Sequence, residues 1–219
     1  MTPRIVPAIL TSDAKALRTM VSQVQEFAPY VQFDFMDGHF VPSVSVSDKD
    51  LAGIPIKFKW EAHLMVVNPA ASFAAFKNLG ARRVTFHIEA TDSPDDVIRQ
   101  ARQLGLEVGL AANPDTPVSS LLPFVGKVDT FLFMTVFPGF YGAKFQAQVL
   151  KKIAEFRREY PTFHIGVDGG IKRENVALLA RAGVNDICVG SAIFLQSSPA
   201  ECFYSLQSLA EEAAKQRKD

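Results

Sequence analysis

Cysteine is scarce in this 219-residue chain, and the two present, Cys188 and Cys202, supply neither a disulfide framework nor zinc-finger spacing. Charge of one sign is not in excess: 23 Lys and Arg balance 23 Asp and Glu. That balance argues against nucleic acid or an acidic membrane as partner, and leaves room for a small local anion. No apolar run is long enough to span a bilayer, and the opening MTPRIVPAILTSD lacks the apolar stretch of a signal peptide. The expectation is a cytoplasmic, reduced protein that meets no membrane. Also missing are low-complexity tracts, linkers rich in Gly, Ser or Pro, and a G-x-G-x-x-G after the first apolar run, which disfavours a dinucleotide-binding open sheet.

What is present is alternation. With 48% hydrophobic and 21% charged residues, the chain reads as short apolar strands separated by amphipathic helices. Strands are expected over 4–9, 30–35, 57–65, 83–87, 107–111, 130–135, 164–168 and 186–189. Helices are expected over 13–27, 70–79, 94–104, 145–160, 173–182 and 200–215, with weaker pieces near 48–51 and after Thr116. Leu79-Gly80, Leu104-Gly105 and Ala182-Gly183 place glycine where a left-handed cap closes a helix. Alternating β and α elements imply parallel strands with right-handed crossovers. Eight such units predict one domain over 1–219, a single (β/α)8 TIM barrel with eight parallel strands.

Within this pattern VQFDFMDGHFVP, residues 31–42, contains an anomaly. Asp34 sits between Phe33 and Phe35 in a run otherwise fit for a buried strand, and Gln32 shares its face. A buried carboxylate is costly unless something pairs with it. In a (β/α)8 barrel the active site lies at the C-terminal strand ends, where this sequence puts Asp34, His63 and Asp168 on three different strands. Taken singly, His63 reads as a core histidine, Asp34 as half of an ion pair, Asp168 as a turn residue, and Met36, Met65 and Met134 as gap fillers. His87 and Glu89 read as structural or rim residues, and Cys188 as small core. Jointly, the two carboxylates and the histidine at one rim read as a site. The glycine-rich loops Pro138-Gly139-Phe140-Tyr141-Gly142, Asp168-Gly169-Gly170 and Gly190-Ser191 offer backbone N–H groups suited to a phosphate.

The runs PAIL (7–10), DFMDGHFVP (34–42), HLM (63–65), NPDTP (113–117), MTVFPGFYG (134–142), VDGGI (167–171) and GSAIF (190–194) resemble, in order, the ribulose-phosphate 3-epimerase family. The resemblance implies a barrel that interconverts D-ribulose 5-phosphate and D-xylulose 5-phosphate, acts on a small sugar phosphate, forms homo-oligomers and uses one divalent metal ion (Zn, Mn, Mg or Fe). Carried over by position, it makes Asp34 and Asp168 the acid/base pair and, with His63, metal ligands. Substrate contacts would fall to Ala8, His63, Met36, Met65, Met134, Gly139, Phe140, Tyr141, Gly142, Gly169, Gly170, Gly190 and Ser191.

The sequence departs from that pattern where it matters. Gln32 stands where the family has a second metal-ligating histidine, which predicts a weaker site tilted toward harder ions. Ala8 replaces a serine, Phe137, Tyr141 and Ala143 alter the loop after the sixth strand, and the short stretch between Pro42 and His63 predicts a clipped second helix. These changes leave two alternatives standing: an epimerase of another ketose phosphate, such as allulose 6-phosphate, and a barrel that binds a sugar phosphate without turning it over.

Overall fold

The computed structural model describes residues 2–139 and 144–216. Eight parallel strands, β1 (Arg4–Ile9), β2 (Tyr30–Met36), β3 (Lys59–Met65), β4 (Arg83–His87), β5 (Glu107–Ala112), β6 (Thr130–Met134), β7 (Ile165–Asp168) and β8 (Asp186–Val189), close in sequence order, with β8 returning to pair with β1. The helices are α1 (Ala14–Val24), α2 (Asp48–Leu51), α3 (Phe73–Asn78), α4 (Pro94–Gln103), α5 (Val149–Glu159), α6 (Arg173–Arg181), α7 (Ser191–Phe194) and α8 (Pro199–Lys215). The expected barrel is therefore observed, and its second helix is clipped to the four residues of α2.

The differences from expectation lie at element ends. The stretch read as one helix over 70–79 divides into a 3₁₀ turn over Pro69–Ser72 and then α3. The helix expected from Phe145 starts at Val149, because the Gln146 N–H donates to Thr135 O at 2.7 Å and ties the preceding residues to the end of β6. β3 begins at Lys59 rather than at 57, where the Lys57 N–H instead meets the Gln25 side chain. Gly80 takes the expected left-handed conformation, with φ of 90°.

Strand alternation sorts side chains into two compartments. Phe33 and Phe35 point outward, Phe33 edge-on to Trp60 with ring centroids 5.2 Å apart and Phe35 against Phe76 at 4.5 Å. They join the large apolar layer between barrel and helices. Gln32 and Asp34 must then face the lumen, where Val6, Ala8, Tyr30, Ala111, Leu132, Met134 and Cys188 form a second, smaller cluster.

The N-terminal end of the lumen is plugged by ions. Arg83 pairs with Glu61 and reaches Asp186 Oδ2 at 3.2 Å, while Arg4 grips Asp186 through Nε (3.0 Å) and Nη2 (2.8 Å) and lies 4.1 Å above the Tyr30 ring. Glu61, Arg83 and Asp186 are all buried. Burial alone would raise the Asp186 carboxyl, but His164, Arg4 and Arg83 outweigh it and hold the group well below the usual carboxylate range.

Removing one partner of such a cluster strands the others, so Asp186→Asn is expected to destabilise the fold by about 3–5 kcal/mol at pH 7. A carboxyl depressed by folding stabilises fully above the ordinary carboxylate pKa of about 4, and that stabilisation drains away as pH falls below it. Urea unfolding at several pH values should show wild type losing more stability than Asp186→Asn between about pH 4 and pH 2. Parallel losses in the two proteins would remove Asp186 from the acid response.

Candidate functional site

At the opposite end of the lumen the register brings Asp34 beside His63, and Asp168 beside both Met134 and Cys188. The strand ends that carry the carboxylates are themselves fastened. Ser45 Oγ donates to Asp34 O (2.9 Å) and accepts from the Met36 N–H (2.9 Å), while Thr135 donates to Asp168 O through its N–H (2.7 Å) and its hydroxyl (3.0 Å). In the D-G-H-F turn, Asp37 accepts the N–H groups of His39, Phe40 and Val67 at 2.8–2.9 Å, so this second aspartate of the motif holds the loop rather than the site.

The two carboxylates converge on one amide. Gln32 Nε2 donates to Asp34 Oδ1 at 2.8 Å and to Asp168 Oδ2 at 2.7 Å, and the Gln32 carbonyl accepts from the Cys188 thiol at 3.2 Å. His63 Nδ1 lies 2.9 Å from Asp34 Oδ1 and 3.3 Å from Asp168 Oδ2. On its other side, His63 Nε2 is 3.0 Å from His87 Nε2. His87 Nδ1 in turn stands 3.3 Å from Glu89 Oε2 without the alignment of a hydrogen bond. Glu89 is fixed by the Asn113 N–H at 2.8 Å and by the Thr116 hydroxyl. The N-P-D-T-P run thus anchors the far end of a chain of contacts that begins at the carboxylates.

Protonation follows from this layout. Burial, then the nearby Asp168 charge, raise Asp34 to about 6 against the opposing His63 and Gln32 contacts. Burial would lower His63, but the two carboxylates overcome it and raise the imidazole to about 10. Burial, assisted by the His63 charge, lowers His87 to about 4 despite Glu89. Near neutral pH a charged His63 therefore donates from Nδ1 to the carboxylates and from Nε2 to a neutral His87.

The donor set also fits a cation. One atom each from Asp34, His63 and Asp168 lies within 4.8 Å of the others, all three residues are buried, and carboxylate oxygens with an imidazole nitrogen suit a divalent ion. Gln32 turns its nitrogen, not its oxygen, toward that point.

Above the carboxylates a cavity of ≈ 550 Å³ opens, lined by Ala8, Asp34, Asp168, Gly169, Gly170, Cys188, Gly190 and Ser191. Met36 and Met65 pack with Val41 at one side, where Leu10 and Phe40 close in, and Met134 belongs to the lumen cluster. Gly169, with φ of 107°, passes so close to Val136 that a Cβ there would overlap Cγ2. Gly139 accepts from the Ser43 hydroxyl in the neighbouring loop. Phe140, Tyr141 and Gly142, expected at the substrate, lie outside the described residues.

Four residues at the site were not expected there. Lys144 and Lys172 line the cavity beside the glycine loops. His87, read as structural or rim, lies against His63, and its position two residues before Glu89 at a strand end was the available signal. Cys188 is core, as expected, but also a hydrogen-bond partner of Gln32, which nothing in the local sequence shows.

Residues 4–194 match the family described as the Ribulose-phosphate 3 epimerase family. Ribulose-phosphate 3-epimerase of Schizosaccharomyces pombe is 33% identical over 216 residues, covering 96% of this chain and 95% of that protein. The cytoplasmic isoform of the enzyme from Oryza sativa subsp. japonica is 34% identical over 215 residues, covering 95% and 94%. Among solved structures, 3-hexulose-6-phosphate synthase from Salmonella typhimurium superposes with a TM-score of 0.68 over 98% of this chain and 100% of that one, at 16% identity, a likeness of fold alone. A family match over most of the length, with relatives at about a third identity from end to end, establishes that the chain belongs to the ribulose-phosphate 3-epimerase family.

Proposed function

We propose that this chain interconverts D-ribulose 5-phosphate and D-xylulose 5-phosphate by moving a proton at C3 between Asp34 and Asp168. The observation that carries this reading is the pair of buried carboxylates, from β2 and β7, converging beneath a cavity rimmed by glycine loops. In one direction Asp34, as carboxylate, takes the C3 proton: the C–H bond breaks, an O–H bond forms on Asp34, and the electron pair moves to the C2 carbonyl as an enediolate. In the reacting complex the two carboxyl groups hold one proton between them. It sits on Asp168, which gives it to the other face of C3 while Asp34 keeps the one it has taken, so the pair's proton count is unchanged and the roles exchange in reverse. A base raised to about 6 suits work near neutral pH, where it is ionised but still basic.

Asp34, His63 and Asp168 are the residues that would hold a divalent cation, and the ion when bound supplies positive charge for the C2 oxygen as it becomes negative. His87 keeps His63 Nδ1 aimed at the carboxylates by accepting the Nε2 proton. Met36, Met65 and Met134 present polarizable, apolar walls that exclude water. The phosphate is assigned to the backbone of Gly169, Gly170, Gly190 and Ser191, with Lys144 and Lys172 adding the charge that the balanced chain lacks overall.

Asp34→Asn and Asp168→Asn should each lower turnover by about 10²–10⁴-fold, since each removes the proton carrier for one face. The check is NMR of D-ribulose 5-phosphate in D₂O, following deuterium at C3 and the appearance of the epimer. Exchange confined to allulose 6-phosphate would move the substrate to a six-carbon ketose, and exchange with neither sugar would leave a binding barrel. Activity within tenfold of wild type in either variant would refute the two-base assignment.

Cation loading has a proton signature. At pH 8 Asp34 is already ionised while His63 still carries its extra proton, so taking up Mn(II) should release about one proton, rising toward two as pH falls below about 6. Affinity should weaken with each step toward acid. Titration calorimetry in buffers of differing ionisation enthalpy reads the number directly, and loading with no proton release would mean that His63 is not a ligand. His87→Phe, which deletes the acceptor for His63 Nε2, should weaken Mn(II) binding about 10–100-fold in the same assay.

A further inference from the structure

We propose that Cys188 is a positioning residue whose thiol decides which end of the Gln32 amide faces the carboxylate pair, and thereby how tightly the site takes a cation. The inference rests on reading Asp34, His63 and Asp168 as a cation site, and goes beyond it by assigning a role to a residue outside that set.

Gln32 is fully buried, so both ends of its amide must be satisfied within the protein. The NH2 end is used completely: one hydrogen goes to Asp34 and the other to Asp168. The carbonyl end receives the Cys188 thiol, which is buried as well and on the neighbouring side of β1, where Ala8 pairs with Gln32 and Val6 with Cys188. This direction agrees with what each atom can do. A thiol donates but accepts weakly, and two carboxylates accept only. With the carboxylates bare, the amide nitrogen is the end they attract.

A cation reverses the demand. Positive charge between the carboxylates repels the N–H groups and favours the carbonyl oxygen, which is a suitable ligand for a hard ion. Turning the amide to supply that oxygen would point its NH2 at a sulfur that is a poor acceptor. Cys188 therefore holds Gln32 as a donor bridge and works against its use as a fourth ligand. A side chain at 188 with no donor would leave the Gln32 oxygen unpaired in the first orientation, and would add little to the cost of the second, whose NH2 already faces a poor acceptor.

The test is a double-mutant cycle read as Mn(II) affinity by titration calorimetry, in wild type, Cys188→Val, Gln32→Leu and the double variant. Cys188→Val is expected to tighten Mn(II) about tenfold where Gln32 is present, the scale of one buried unpaired acceptor, and to have no effect in the Gln32→Leu background. Equal affinities in wild type and Cys188→Val overturn the proposal, as does the same change in both backgrounds, which is what mere packing would give. A second readout needs no change at 188, and its first comparison needs no metal. In Cys202→Ser protein the infrared S–H band belongs to Cys188 alone. It should sit at a hydrogen-bonded position, return to the free-thiol position with Gln32→Leu, and move when Mn(II) is added to the protein that keeps Gln32. An undisplaced band overturns the pairing. If neither wild type nor Cys188→Val takes up Mn(II), the cation reading fails together with its control by Cys188, and the band alone then decides whether the thiol still orients Gln32 as the bridge.

Discussion

Two carboxylates buried within reach of one another are the constraint around which the lumen is arranged. At separations up to 4.8 Å, two full charges at an effective dielectric near 20 repel by about 3 kcal/mol or more, before either is charged for its lost hydration. The protein answers with donors alone on the inner side: two hydrogens from Gln32 and one from His63. His63 can serve because its Nε2–H is accepted by a neutral His87, and the segment around Glu89, Asn113 and Thr116 closes the chain at the rim. Residues from four strands, β2, β3, β4 and β7, are thus committed to one pair of acids.

The barrel makes such an arrangement tolerable by separating it from a second polar set. Glu61 and Asp186 are balanced by Arg83 and Arg4 at the N-terminal end, and β8 shows the division within three residues: Asp186 belongs to the ion cluster, Cys188 to the site. Alternation does the sorting, since Phe33 and Phe35 cannot face the helices unless Gln32 and Asp34 face the lumen. The same outward aromatic packing that closes the fold therefore aims the carboxylate. Stability and site geometry share one strand register.

That sharing explains what could be read in the chain beforehand. Alternation along a strand is written in sequence, so Asp34 and Gln32 were legible as lumen-facing, and eight alternating units were legible as a barrel. Lateral neighbours are not written there, because they depend on the stagger between strands. His63 pairs with Thr85 in register, yet its imidazole meets His87 two positions farther along. Cys188 reaches Gln32 across β1 by a similar diagonal, and so read only as small core. Helix starts were misjudged where a strand end captured them, as Thr135 captures Gln146. The lysines beside the glycine loops were overlooked for a different reason: backbone N–H groups alone sufficed for a small anion there, so no lysine was looked for.

Directionality then limits how the site can change state. The hydrogen bond from His63 Nε2 to His87 Nε2 serves a charged His63 facing bare carboxylates, and serves equally a neutral His63 that has surrendered its Nδ1 proton to make room for an ion. Nothing beyond His87 has to rearrange, because its own neutral form is fixed by burial in both cases. The difference between the two states reduces to one proton at Nδ1 and the facing of one amide. A second histidine at position 32 would need only to lose a proton, whereas glutamine must rotate and give up two hydrogen bonds to carboxylates. With glutamine rather than a second histidine at position 32, a cation held by Asp34, His63 and Asp168 would meet a fourth position that resists it until the amide oxygen turns inward.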